Sequence, residues 1–194
     1  MTKNVFIWVA HPRAGSLCSG LADAYQAGAV AKGAQVRRMD LGDMRFEAEF
    51  EGYGKDTKPL TADLQEWQEN IRWADHILIV HPYWWGSMPT KAKAVLDIAL
   101  APGFAYKYHK RGVAWDKLLA GKTGDAIITS DTPPLLDTLL YRKPGRRVIR
   151  NQVMKFCGIK PRHIRQLGSV KLASPAKIAR WLTQAETMGA RAAA

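Results

Sequence analysis

The sequence predicts an α/β fold in which one parallel sheet is covered by helices on both faces. Three observations carry that expectation. Apolar runs of strand length alternate with helical patterns along the chain, the first run is apolar at nearly every position, and glycine, proline and capping residues fall at the junctions.

Residues 5–10 are near-continuously apolar, as a strand covered on both faces should be. Residues 17–32 are rich in alanine and other helix formers and end at Gly33, a helix-terminating residue. Gln35–Asp40 reads as a second short strand. Residues 47–58 are polar, hold two glycines and read as a surface loop. Ala62–Trp73 reads as a helix, with Thr61 as its cap and Asp63 and Glu66 in its first turns, where the dipole favours acids.

Residues 76–80 form the third predicted strand. Residues 89–100 form a helix with proline at its start, where the missing N–H does no harm. Thr123–Thr129 is the fourth strand. A basic helix is expected over 145–157, stopping at Gly158, and the fifth strand over 164–170. Ser174 and Pro175 open a last helix through residue 188. Five strands alternating with helices make a parallel sheet.

At 194 residues, with no internal repeat and no Pro- or Ser-rich linker, the chain is expected to form one domain over 1–194. Hydrophobic residues at 47% and charged residues at 24% are ordinary for a soluble protein. No apolar run reaches the length of a membrane span, and the opening residues lack a signal peptide's apolar stretch and cleavage site, so a cytoplasmic protein without membrane insertion is expected. The two cysteines, Cys18 and Cys157, lack the spacing of a disulfide framework or a metal site, so no metal is expected and both read as buried, small apolar side chains.

The net charge of +12 has one source. No acid lies between Asp137 and Glu186, while twelve of the 29 basic residues do, and the basic residues elsewhere equal the 17 acids. The stretch is either a solvated basic face or a surface for an anionic partner. It has no interleaved aromatics and no nucleic-acid motif, so no nucleic-acid partner is expected.

In such sheets ligands sit beyond the carboxyl ends of the strands, at the point where strand order reverses. That rule selects three loops. The first, His11-Pro-Arg-Ala-Gly-Ser16, precedes a helix whose free N–H groups can hold an anion; an ordinary strand–helix turn has the same composition. It is neither a dinucleotide nor a Walker phosphate loop.

The second, Pro82-Tyr-Trp-Trp-Gly-Ser-Met-Pro89, sets three aromatics in a row at a strand's solvent end. They serve as a stacking wall for a flat ligand, with Gly86 allowing close approach, or they pack under the loop or at a subunit contact. The third, Thr129-Ser-Asp-Thr-Pro-Pro134, offers donors for the polar edge of a heterocycle or is a plain turn; its double proline is expected to hold it rigid and non-helical.

The run His81-Pro-Tyr-Trp-Trp-Gly-Ser-Met-Pro-Thr-Lys-Ala-Lys-Ala-Val-Leu-Asp97, followed by Pro102-Gly-Phe-Ala-Tyr-Lys-Tyr108, resembles the NAD(P)H:quinone oxidoreductase (DT-diaphorase) family of flavodoxin-like proteins. It is also similar to the bacterial modulators of drug activity and to the ancillary flavoproteins of potassium-efflux systems. His11, Ser16 and Phe156-Cys-Gly158 match as well. The resemblance implies a three-layer sandwich with a five-stranded parallel sheet of order 2-1-3-4-5.

It further implies that FMN or FAD is bound, with NAD(P)H as co-substrate. The flavin phosphate falls to His11, Ser16, Leu17 and Cys18, the last standing where relatives often carry asparagine. The ring falls to Pro82, Tyr83, Trp84, Trp85 and Gly86, and its polar edge to Thr129, Ser130, Asp131 and Thr132. Tyr106 and Tyr108 match tyrosines that enter a partner subunit's site, which implies a homodimer.

Relatives have a glycine pair in the third loop, then a tyrosine and a histidine. Here Asp131-Thr-Pro-Pro134 replaces the glycines, and no histidine occurs between His109 and His163. An acid at that place opposes charge on a reduced ring unless it points away or is neutralised by Arg142 or Lys143. The expected reaction is ping-pong hydride transfer from NAD(P)H to a quinone-like acceptor, with Tyr106, Tyr108, Thr129 and Ser130 as its catalytic residues. The other expectation is a regulatory subunit that docks on a partner through the basic C-terminal face.

Overall fold

The computed structural model describes residues 2–54 and 57–194. In chain order the elements are β1 (Asn4–Val9), α1 (Leu17–Ala31), β2 (Gln35–Asp40), α2 (Ala62–Trp73), β3 (His76–Pro82), α3 (Thr90–Ala99), β4 (Tyr106–Tyr108), β5 (Trp115–Lys117), β6 (Thr123–Thr129), α4 (Pro134–Leu139), α5 (Pro144–Arg147), β7 (Lys160–Leu167) and α6 (Pro175–Ala193). Five parallel strands form one sheet in the order β2-β1-β3-β6-β7. That is the expected 2-1-3-4-5 order, reversing direction between β1 and β3.

The central strands β1, β3 and β6 are buried on both faces because their side chains alternate between two cores. Phe6, Trp8 and Ala10 enter a core with α2 and α3, while Val5, Ile7 and Val9 enter a second core with α1 and α6. Among the described residues no helix is long and apolar enough to cross a membrane. The predicted loop over 47–58 includes Lys55 and Asp56, which lie outside the described residues.

Several boundaries differ from expectation, each for a local reason. The fifth strand starts at Lys160, not 164, and ends at Leu167. As an edge strand it tolerates basic residues on its solvent side, so its apolar pattern understates its length. The basic helix starts at Pro144 as α5, then continues as a π-helix over Val148–Lys155. The last helix runs past residue 188 to Ala193.

The double proline does not keep the third loop non-helical. Pro133 precedes α4 and Pro134 occupies its first turn, where a fixed φ and a missing N–H suit a helix start. The hairpin of β4 and β5 was not foreseen, since strands of three residues leave no periodicity to read.

At the amino end of the sheet, buried polar groups satisfy one another. The Tyr25 hydroxyl donates to Asp125 at 2.9 Å and lies 2.9 Å from His76 Nε2. Its single proton goes to the carboxylate, so the imidazole is the donor in the second contact. Asp125 also accepts the His163 amide at 2.9 Å, beside a β-bulge between Gly124 and Ala126. His81, at the other end of β3, is different. Its Nδ1–H donates to the Pro82 carbonyl at 2.8 Å, while its buried Nε2 has no partner among the described residues.

Helices α1 and α6 touch backbone to backbone. A Cβ on Gly28 would lie 1.9 Å from the Glu186 carbonyl oxygen, and one on Gly189 would lie 1.9 Å from that of Tyr25. Either alanine substitution must force the helices apart. Gly28→Ala and Gly189→Ala are each expected to lose about 1–3 kcal/mol of stability, read as a lower urea midpoint; an unchanged midpoint contradicts the contact.

His81 predicts an acid dependence. Complete burial pushes its pKa down to about 4, with the hydrogen bond to Pro82 only partly opposing. The unfolded imidazole, with a pKa of about 6.5, takes up a proton that the folded one refuses. This contribution is therefore whole above about pH 6.5 and is lost as the pH falls towards 4, by about 3 kcal/mol. Urea midpoints measured across that window should fall in the native chain and fall less in His81→Phe; parallel profiles would show that His81 is not responsible.

Candidate functional site

The first loop leads into α1, whose start is capped by Ser16 in an extended conformation, its hydroxyl accepting the Ser19 N–H at 3.3 Å. No acid sits in the first turn, so the positive end of the helix dipole is uncompensated. His11 Nδ1 accepts the Arg13 N–H at 3.0 Å. An accepting Nδ1 places the ring proton of the neutral imidazole on Nε2. Partial burial, and then the Arg13 charge, lower the His11 pKa and favour that neutral form.

The second loop is a tight hairpin. Trp84 and Ser87 exchange two backbone hydrogen bonds of 2.9 Å each, and the corner residues Trp85 and Gly86 have φ of 50° and 77°. Positive φ at both corners is a type I′ turn, which explains Gly86 without any ligand. It does not explain Trp85. A tryptophan in the left-handed region is strained, and this one is fully exposed. The alternative that it packs under the loop is thereby set aside. Trp84 is half exposed and meets His11 edge to face, ring centroids 5.9 Å apart.

Thr129 ties the loops together. Its hydroxyl lies 3.3 Å from the Cys18 thiol in α1, and its carbonyl accepts the Tyr83 N–H at 2.7 Å. Burial pushes the Cys18 pKa up to about 11, with the Thr129 contact opposing, so Cys18 is a thiol and no nucleophile. Ser130 is engaged by its own loop and by β7. Its hydroxyl donates to the Thr132 carbonyl at 2.7 Å and accepts from Gln166 Nε2 at 3.1 Å.

Asp131 points away from the other two loops. Its carboxylate accepts the Lys171 N–H at 2.8 Å, within the short 3-10 turn Val170–Leu172. The concern raised by an acid in this loop is met by direction rather than by neutralisation by Arg142 or Lys143.

Sequence reasoning missed the group that supports the aromatic loop. Asp137, on the inner side of α4, is completely buried; it accepts from the Tyr83 hydroxyl at 2.9 Å and from Arg146 at 2.8 Å. Arg146 also donates to Thr138 at 2.8 Å. Burial, then Asp137, pushes the Tyr83 pKa up to about 12, so the phenol stays protonated and keeps donating. Gly145 completes the contact, since a Cβ there would lie 2.4 Å from the Tyr83 ring. The available signal was that Asp137 is the last acid before the long basic stretch.

Across the three loops the structure joins His11 to Trp84, Cys18 to Thr129 and Tyr83 to Thr129. Ser16, Leu17, Pro82, Trp85, Gly86, Ser130 and Thr132 lie on the same loops or the start of α1 without a cross-loop bond of this kind, and Asp131 turns to Lys171. Tyr106 and Tyr108 are not on these loops. They stand on the β4–β5 hairpin against Phe156, ring centroids 5.0 and 6.5 Å from it.

Comparison with known proteins agrees with this architecture. The ribosyldihydronicotinamide dehydrogenase [quinone] of Rattus norvegicus is 35% identical over 122 residues, 57% of this chain and 48% of that protein. The chain spans about half the length of that relative. The NAD(P)H:quinone oxidoreductase of Methanothermobacter marburgensis superposes with a TM-score of 0.80 at 21% identity, covering 98% of each chain. An FMN-dependent NADH-azoreductase of Bacillus anthracis, solved with FMN, superposes with a TM-score of 0.76 at 17% identity over the whole of both chains. At those identities the superpositions show the fold alone. The family described as having a flavodoxin-like fold matches residues 3–188. With that match running over nearly its whole length, the chain belongs to the flavodoxin-like fold family.

Proposed function

We propose that the chain is a flavin-dependent NAD(P)H oxidoreductase that reduces quinones or related acceptors by ping-pong hydride transfer. The observation that carries this reading is Trp85, a bulky aromatic held fully exposed in a strained turn whose preceding residue, Trp84, meets His11 of the loop that leads into the uncompensated start of α1. Both features are costly without a flat, anionic ligand. The names of the rat, Methanothermobacter and Bacillus proteins support the same chemistry. The azoreductase solved with FMN supports a flavin here, FMN or FAD.

The residues fit such a group. The N–H groups of Leu17 and Cys18 at the start of α1, with His11 Nε2–H, are the donors for a phosphate. Pro82, Tyr83, Trp84, Trp85 and Gly86 flank the ring, and the segment Thr129–Thr132 offers donors to its polar edge. A flavin held there would supply the hydride-transfer chemistry between NAD(P)H and the acceptor.

What the protein adds is position and field. The protonated Tyr83 phenol, fixed by Asp137, sets the angle of the hairpin that carries Trp84 and Trp85. Thr129 supports catalysis by holding the first and second loops at a fixed spacing. Ser130, its hydroxyl already engaged, contributes through the shape of its loop. Asp131, turned to Lys171, keeps its charge out of the ring's edge. Tyr106 and Tyr108, on their own hairpin, are proposed to close the acceptor side of a second copy's site in a homodimer. The buried free thiols of Cys18 and Cys157 suit a reducing cytoplasm.

The test is the visible spectrum of the purified chain, with released flavin identified by chromatography and bleached by NADH or NADPH. Removing the exposed ring should weaken binding without unfolding the hairpin. Trp85→Ala is expected to bind FMN roughly tenfold more weakly, read by quenching of flavin fluorescence. A chain that binds neither FMN nor FAD overturns the proposal.

A further inference from the structure

The surface next to the third loop has a second unexplained feature. Helix α4 buries Asp137 on one side and presents Leu135, Leu136, Leu139 and Leu140 on the other, 71, 45, 72 and 62% exposed. At 100° per residue these four leucines fall within one stripe about 140° wide. Tyr141, half exposed, follows the last of them in sequence. Leu172, 84% exposed, follows Lys171, whose amide is bonded to Asp131 just before α4.

Basic side chains accompany this patch along the chain. Arg142 and Lys143 follow Tyr141 directly, Lys171 precedes Leu172, and Arg147 and Arg150 lie on the next helical segment; all five are exposed. No ion pair involves any of them among the described residues. The acids nearby are spent: Asp137 is paired inside with Arg146, and Asp131 caps the Lys171 amide.

We propose that this face docks the protein on the surface of an anionic lipid bilayer. Leucines on one side of a short helix, a tyrosine next in sequence and a set of Lys and Arg along the chain make the composition of an interfacial segment. The apolar side chains enter the boundary of the acyl region, while the basic side chains meet anionic headgroups.

Charge complementarity decides among occupants. Two copies docked through this face by a twofold axis would bring equal basic sets together, which is repulsive. An acidic protein would satisfy the basic residues. However, leucine is under-represented among the residues that anchor protein interfaces, and these leucines stand out from the surface instead of lining a groove. On the function proposed above, docking would hold the three loops at the bilayer surface, where an apolar acceptor concentrates. The docking itself needs no flavin.

The experiment is sedimentation of the flavin-loaded full chain with vesicles of phosphatidylcholine alone or mixed with phosphatidylglycerol. Flavin content and circular dichroism are measured separately, so failure of the flavin reading does not disturb this one. Binding is expected with the anionic vesicles, little with the neutral ones, and a loss at high salt. Leu135→Ser with Leu139→Ser, and independently Arg142→Gln with Lys143→Gln, should each weaken it at least tenfold.

Absence of binding to anionic vesicles, or binding unchanged in both double variants, overturns the proposal. So does a leucine variant that turns a dimer into a monomer in the ultracentrifuge while still sedimenting with vesicles, since a second copy then covers the patch. Retention on polyglutamate without vesicle binding overturns it in favour of an acidic protein.

Discussion

At the carboxyl end of β6, Thr129 meets the Cys18 thiol through its hydroxyl and holds the Tyr83 amide through its carbonyl. One residue thereby fixes the start of α1 against the aromatic hairpin. Parallel strands end in loops that have no ladder to order them, so such a site depends on cross-loop bonds of this kind. The tie is buried, where breaking it without water to replace it would leave both partners unsatisfied. From it the rest follows outward. Tyr83 reaches from the same backbone to Asp137, Asp137 to Arg146, and Gly145 brings the following helix against the Tyr83 ring.

Strain collects at the same end of the sheet. The non-glycine residues with positive φ among those described are Trp85, Arg142, Lys143 and Ser169. Trp85 turns the second loop, Arg142 and Lys143 join α4 to α5, and Ser169 precedes the turn that holds Asp131. Each such conformation costs on the order of 1–2 kcal/mol, and bonds beside three of them hold the turn: the Trp84–Ser87 pair around Trp85, Lys143 N–H to the Asp137 carbonyl, and Val170 N–H, next to Ser169, to that of Ser130. The amino end shows the opposite pattern. Tyr25, His76, Thr123, Asp125 and His163 form a closed set of hydrogen bonds, with regular backbone outside one bulge. The distinction separates a structural polar cluster from a site.

The sheet was legible in the sequence because burial on both faces writes itself as apolar runs, near-continuous in β1 and β3 and shorter in β6, where Ala126–Ile128 follow Asp125. The edge strand β7 was read four residues late because its exposed side carries Lys160, Arg162 and Arg165. The three loops were legible from the rule that places ligands at strand ends, and the aromatics of the second were conspicuous in composition alone. The turn geometry was not. Nothing in Trp84-Trp85-Gly86 announces a type I′ corner with tryptophan at its first position. The Asp137 anchor was hidden for a different reason: its partners lie 54 and 9 residues away, and only the fold brings them to one carboxylate. The π-helix of Val148–Lys155 likewise has no periodicity distinct from an α-helix at this length.

The excess charge of the C-terminal third divides by structural duty once the strands are placed. Lys160, Arg162 and Arg165 project from β7, an edge strand, where charge discourages pairing with another sheet. Arg146 is consumed in neutralising buried Asp137. What remains near α4 in the chain and at the turn bonded to Asp131 is a smaller set, Arg142, Lys143, Arg147, Arg150 and Lys171, none of them in an ion pair among the described residues. Net charge alone therefore overstates the surface open to a partner, and the count matters less than the place. A basic residue on the sheet edge keeps other proteins away, while the same residue beside exposed leucines invites an anionic, apolar neighbour. The third loop, braced by Asp137 behind it and bounded by that patch outside, is where the two halves of the molecule's surface chemistry meet.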